Sequence, residues 1–208
     1  MEISSGREFP IARLILSFVI ATVLFIIIFL FVNSVSYLNY QSAKANNEII
    51  NISLYVGNIN CTFEYFYNIS ALIYNSGVQI GLLEERLGKN DPAVLELKKS
   101  YTALQFKHLF LVKEFNEKCN KNLQIILFFY STDDEIVKES EKVGYILDTL
   151  KSKYPNKLMI YSFDVNLDQS EIQNEILKYK LKTFPAVILN NMTLPKIKNI
   201  KQIEESIK

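Results

Sequence analysis

From Ile11 to Val32 the chain is an unbroken apolar run, IARLILSFVIATVLFIIIFLFV, with Arg13 near its start as the only charge. At 1.5 Å per residue a helix of this length covers about 33 Å, enough for the hydrocarbon core of a bilayer. The apolar part of a secretory signal peptide is shorter, roughly 7–15 residues. The run therefore predicts an uncleaved signal-anchor over residues 11–32, a single-pass transmembrane helix. Ser34-Val35-Ser36 has small residues at cleavage-like spacing and keeps the cleaved alternative open. Arg7 and Arg13 lie on the amino side, whereas the first basic residue beyond the run is Lys44. The positive-inside rule then puts residues 1–10 in the cytoplasm as a short tail and residues 33–208 outside, at the cell membrane.

Beyond the anchor the pattern changes to alternating steps of four and three. The series is Leu38, Ser42, Ala45, Ile49, Ile52, Val56, Ile59, Phe63, Phe66, Ser70 and Ile73. A spacing near 3.5 is the seam of packed helices. Gly88-Lys89-Asn90-Asp91-Pro92 then stops one helix and starts another, with Gly88 past the end, Asp91 as N-cap and Pro92 in the first turn. The second helix has its own seam at Val94, Leu97, Tyr101, Leu104, His108, Leu111 and Phe115. The expected arrangement over 33–120 is a helical stalk that forms an antiparallel hairpin turning near 88–92. Gly77 and Gly81 are expected to weaken or bend the first arm. His108, on the apolar seam, reads as a packed, hydrogen-bonded core histidine. The same seam could instead assemble homo-oligomers.

From Asn122 the periodicity shifts again, toward a domain over 121–208. Leu123–Tyr130 is continuous and apolar, as in a buried parallel strand. A helix is expected from about Asp134 to Lys153, then a strand at Lys157–Asp164. Asp168-x-x-Glu171 resembles a capping box for a helix running to about Lys180. Ala186–Asn190 is a third strand, Asn190-Asn191 a tight turn, and a short strand follows around Thr193. Asn199-x-x-Gln202 opens the last helix. The order β-α-β-α-β-β-α makes a small mixed α/β sheet with helices on its faces.

Charge removes some functions. The chain has 23 Lys+Arg against 22 Asp+Glu, and the balance holds in each segment, so no basic footprint for nucleic acid is present. One His and two Cys cannot complete a four-ligand zinc site from N and S donors. No metal, cofactor, Gly-rich phosphate loop or nucleophile elbow is expected. Asp133-Asp134-Glu135 lacks EF-hand spacing and reads as a solvated helix start. Lys151–Lys157 reads as a basic surface loop. Four N-x-Ser/Thr sequons start at Asn51, Asn60, Asn68 and Asn191 and are compatible with the outer side, although about two would arise by chance in so Asn-rich a chain.

The cysteines have a geometry. Cys61 and Cys119 each lie 29 residues from Asn90, so a hairpin turning there brings them to the same height. A disulfide would clip its open end, as an oxidising compartment allows. The alternatives are two unrelated buried thiols or a membrane-proximal redox pair.

The terminal domain resembles the thioredoxin fold. Thr183-Phe184-Pro185-Ala186-Val187-Ile188-Leu189-Asn190 looks like that family's cis-proline segment and hairpin. Phe128-Phe129-Tyr130-Ser131 looks like the strand that delivers the redox motif, and Gly144–Asp148 like the helix behind it. The whole chain is similar to membrane-anchored thioredoxin-like proteins of small-genome archaea, whose pre-domain helix the stretch from Tyr101 to Cys119 also resembles. The resemblance implies Cys-x-x-Cys near Val137-Lys138-Glu139-Ser140. Val137 and Ser140 stand at the two expected cysteine positions, and no Cys follows Cys119. Thiol–disulfide exchange needs an attacking thiolate, so the domain is read as redox-inactive, not a dithiol oxidoreductase by itself. The resemblance also implies a peptide groove beside Phe184 and Pro185 for a protein partner; the alternative is that Phe184 fills that space and Pro185 is only a turn constraint.

Overall fold

A computed structural model describes residues 11–56, 61 and 63–207. By internal packing the chain divides into two compact units, Met1–Gln41 and Ser42–Lys208.

The first unit is helical. α1, Ile11–Val56, begins in it. Within Arg13–Glu48 an 18-residue stretch reaches mean hydropathy 3.2 with none of it buried. Among the described residues this is the one helix long and apolar enough to cross a membrane. It runs without a break through Ser34-Val35-Ser36.

The second unit contains the end of α1, the hairpin helices α2 (Phe63–Leu87) and α3 (Pro92–Lys118), and a sheet with its helices. The turn has the predicted chemistry. Gly88 adopts φ 97°, a left-handed conformation that favours glycine. Asp91 caps α3 by accepting from the Ala93 N–H at 2.9 Å, and Pro92 occupies the first turn. The Cys61–Cys119 disulfide closes the other end, with Cα atoms 5.5 Å apart.

The predicted seam holds in part. Phe66, Ile73, Val94, Leu97, Leu104, His108 and Phe115 are buried. Nearer the anchor it is displaced: Leu38, Ser42 and Ala45 are exposed, while Ala43 and Asn47 face inward. Polar contacts set that register, for Asn46 donates to Gln79 at 3.1 Å and Asn47 to Ser100 at 2.9 Å. The side chains of Ile49, Ile52, Val56, Ile59 and Phe63, the sequons at Asn51 and Asn60, and the tail 1–10 lie outside the described residues. Gly77 and Gly81 do not interrupt α2; Gly77 instead lets it approach α3, since a Cβ there would lie 2.7 Å from the Tyr101 hydroxyl.

The sheet has four strands, β1 (Gln124–Tyr130), β2 (Leu158–Asp164), β3 (Ala186–Leu189) and β4 (Met192–Thr193). Their spatial order is β2-β1-β3-β4; β1 and β2 are parallel, and the other two pairs are antiparallel. Alternate residues of β1 face two cores. Ile125, Leu127 and Phe129 pack with α2, α3 and α5 (Ser170–Lys178). Ile126 and Phe128 pack with α4 (Val137–Lys153) and α6 (Ile200–Glu204). A strand buried on both faces reads as a continuous apolar run.

Asn190 and Asn191 make the hairpin turn with φ 48° and 72°, and Asn199 with Gln202 forms a complete capping box. The box predicted at Asp168 does not form. Gln169 is the N-cap and makes no cap bond, its side chain donating instead to the Lys99 carbonyl at 3.0 Å, and α5 starts one residue later. α4 starts at Val137 rather than Asp134, because Asp133-Asp134-Glu135 forms a turn before it. Lys151 is not simply solvated: its Nζ donates to the carbonyls of Pro155 and Leu158, at 2.9 and 2.6 Å.

Candidate functional site

β1 delivers the chain to the amino end of α4 through Ser131–Ile136. This junction is closed by hydrogen bonds rather than sulfur. The Ser131 N–H donates to Ser140 Oγ at 3.2 Å, tying the first turn of α4 to the strand end. The Ser131 hydroxyl lies 3.0 Å from Asp133 Oδ2 and 2.9 Å from Asn166 Oδ1. Asn166 donates from Nδ2 to Asp133 Oδ1 at 2.9 Å and accepts from the Thr132 N–H at 2.9 Å. Both residues singled out here have structural positions: Val137 is the first residue of α4 and half-buried, and Ser140 is buried.

Phe184 and Pro185 precede β3 at the same end of the sheet, since Ala186 pairs with Phe129, one residue before the end of β1. Their peptide bond is cis. Pro185 is half-buried, and Phe184 packs against the core that includes Phe129 and Phe163.

Asn166 links this junction to a buried charge cluster, its N–H donating to Asp164 Oδ1 at 3.0 Å. Lys98 of α3 pairs with Asp164 and donates to Glu84 of α2 at 2.7 Å. Lys98 is 4% exposed. Burial disfavours its charge, but Asp164 and Glu84 outweigh burial and raise its pKa above 10.5. Tyr130 stands nearby with its pKa raised well above 10, first by burial and then by Asp164 and Glu84. No sequence signal marked Lys98, which directly follows the seam residue Leu97. The buried cluster joins α2, α3 and β2 through charge pairing.

His108 is a core residue, 1% exposed, with Nδ1 2.8 Å from the Tyr161 hydroxyl. Burial lowers its pKa to about 4, Lys151 acts the same way, and the Phe66 backbone opposes them in part. The disulfide occupies both cysteines of the chain. Among the described residues no cluster of His, Cys, Asp and Glu could hold a metal ion.

A cavity of about 390 Å³ opens along the outer edge of β2, between α4 on one side and α2 with α3 on the other. Its walls include Tyr101, Gln105, His108, Ile160 and Ser162.

Compared with protein-family models and with curated proteins, the chain matches none.

Proposed function

We propose that this chain is a membrane-anchored, redox-inactive thioredoxin-like module that holds or positions a protein partner on the outer face of the cell membrane. The observation that carries the reading is the junction between β1 and α4. Where dithiol chemistry would need a thiolate, the chain has a hydrogen-bonded set of Ser131, Asp133, Ser140 and Asn166, and its two sulfurs are joined to each other elsewhere. The sheet order β2-β1-β3-β4, with helices on both faces, supports the thioredoxin-like assignment. The partial exposure of Pro185 beside the start of β3 supports a partner groove at that end. The apolar helix supports anchoring, and the arginines on its amino side support an outward-facing domain.

Two assays on the full chain in membranes test this. With dithiothreitol as reductant, insulin is reduced no faster than by dithiothreitol alone; catalysed reduction would contradict the redox-inactive reading. In-cell crosslinking of a partner falls on Phe184→Ser. Unchanged crosslinking by a folded variant would remove the groove from the account.

A further inference from the structure

Among the described residues β2 is an edge strand, and one side of its backbone has no strand beside it. The direction of each peptide group follows from two hydrogen bonds to β1. Gln124 donates to the Lys157 carbonyl, and Val165 donates to the Tyr130 carbonyl. Groups of odd-numbered residues therefore face β1, and those of Leu158, Ile160, Ser162 and Asp164 face outward. At the ends, the outward carbonyls have intramolecular partners: Lys151 Nζ donates to that of Leu158, and the Leu167 N–H to that of Asp164. Ile160 and Ser162 between them open into the 390 Å³ cavity, and among the described residues nothing partners their outward N–H and C=O.

Gln105 of α3 also lines the cavity, with its Oε1 enclosed and without a partner in the fold. The unpaired N–H and C=O groups of a strand edge are a template for another chain, so an occupant that bonds them is favoured. Ile160 and Ser162 are two residues apart, about 7 Å along the strand. Donors and acceptors repeating at that interval match another peptide backbone. The volume falls in the ordinary range for a binding site. Glu141 and Asp148 of α4 line the cavity, whereas Lys151 is turned onto its own chain's carbonyls. The α4 wall thus carries two carboxylates against one ammonium, a single net negative charge, and Gly144 leaves it without a side chain at its middle.

We propose that this cavity is a β-addition site that binds an extended segment of a partner protein, uncharged over about three residues and flanked by Lys or Arg. The site is distinct from the Phe184–Pro185 end of the sheet and does not depend on that groove.

The test uses the full chain in detergent micelles and a phage-displayed library of random dodecapeptides. Ser162→Pro removes one outward N–H and leaves the β1 ladder intact. Gly144→Leu fills the cavity from α4, where an added Cβ meets nothing nearer than Phe128 at 3.9 Å. Circular dichroism and thermal unfolding establish that each variant is folded. Selected peptides are expected to be extended and basic at an end, and to lose about tenfold in affinity on Ser162→Pro, as for one backbone hydrogen bond. They lose binding on Gly144→Leu, keep it on Gly144→Ala, and slow hydrogen exchange at the Ile160 and Ser162 amides. No enrichment over empty micelles would overturn the proposal, as would peptides that bind both variants equally. Self-association of the chain abolished by Ser162→Pro would also overturn it, by making a second copy the occupant. Retained peptide binding by Phe184→Ser separates this site from the groove.

Discussion

Cys61 and Cys119 are joined across 58 residues of chain, with Cα atoms 5.5 Å apart, at the end of the α2–α3 hairpin away from its turn. One follows the anchor-bearing helix and the other ends α3, so the bond fixes the base of the hairpin where it enters the sheet. Its largest physical effect is on the unfolded chain. Closing a loop of this length restricts the denatured ensemble by about 4 kcal/mol in the chain-entropy treatment. Reduction, or the Cys61→Ser/Cys119→Ser pair, is expected to lower the unfolding free energy of the second unit by about that amount. Denaturant titration in micelles with and without reductant measures it; coincident curves would contradict a stabilising clip.

Lys98 lies between Glu84 and Asp164 with almost no exposure. Lys98→Met leaves two carboxylates facing each other in a poorly solvated site. The expected loss is about 3–5 kcal/mol, larger than the loss from Lys98→Met combined with Glu84→Gln and Asp164→Asn. Because its folded pKa is raised, the stability this lysine contributes is complete below about pH 10.5 and disappears as pH rises through the folded value. Urea midpoints of the single and triple variants check both statements.

His108 works in the other direction. Its ordinary pKa of 6.5 falls to about 4 in the fold. Between those values the unfolded chain binds a proton that the folded chain does not. Stability is therefore intact above about pH 6.5 and declines as pH falls toward 4, by about 3 kcal/mol in all. His108→Phe is expected to lose the Tyr161 contact at every pH yet flatten this part of the profile. Parallel profiles for wild type and variant would contradict the assignment.

Glycines in the helices separate packing from propensity. Gly77→Ala forces the Tyr101 hydroxyl from its place and is expected to destabilise by about 1–3 kcal/mol, with Tyr101→Phe relieving part of the loss. Gly81→Ala meets nothing within 4 Å and should stabilise by about 0.5–1 kcal/mol. Thermal unfolding of the two single variants gives opposite signs; equal signs would contradict the close approach at Gly77.

Features written in local chemistry were legible in the sequence. Gly88, Asp91 and Pro92 made the turn, Asn190-Asn191 the second hairpin, and Asn199 with Gln202 the last cap. The cysteine pairing followed from counting outward from the turn. Features set by a second buried face were not legible. α3 packs on α2 and on the sheet at once, so Lys98, Thr102 and Gln105 are buried outside its single apolar seam. The polar contacts of Asn46 and Asn47 shifted the inward face of α1 by the same kind of tertiary override. At the candidate site, missing sulfur was plain from the residues. Asn166 was not, because its partners Ser131 and Asp133 lie more than thirty residues away.

The central claim is an anchored outer domain clipped by a structural disulfide and without dithiol chemistry. Labelling intact cells with a membrane-impermeant thiol reagent, before and after denaturing reduction, followed by peptide mapping, tests it most directly. The account predicts no labelling before reduction, full labelling of both cysteines after it, and a linked Cys61–Cys119 peptide in the unreduced digest. Free thiols at Cys61 and Cys119 that react in folded protein, or that become accessible only after the membrane is opened, would contradict it.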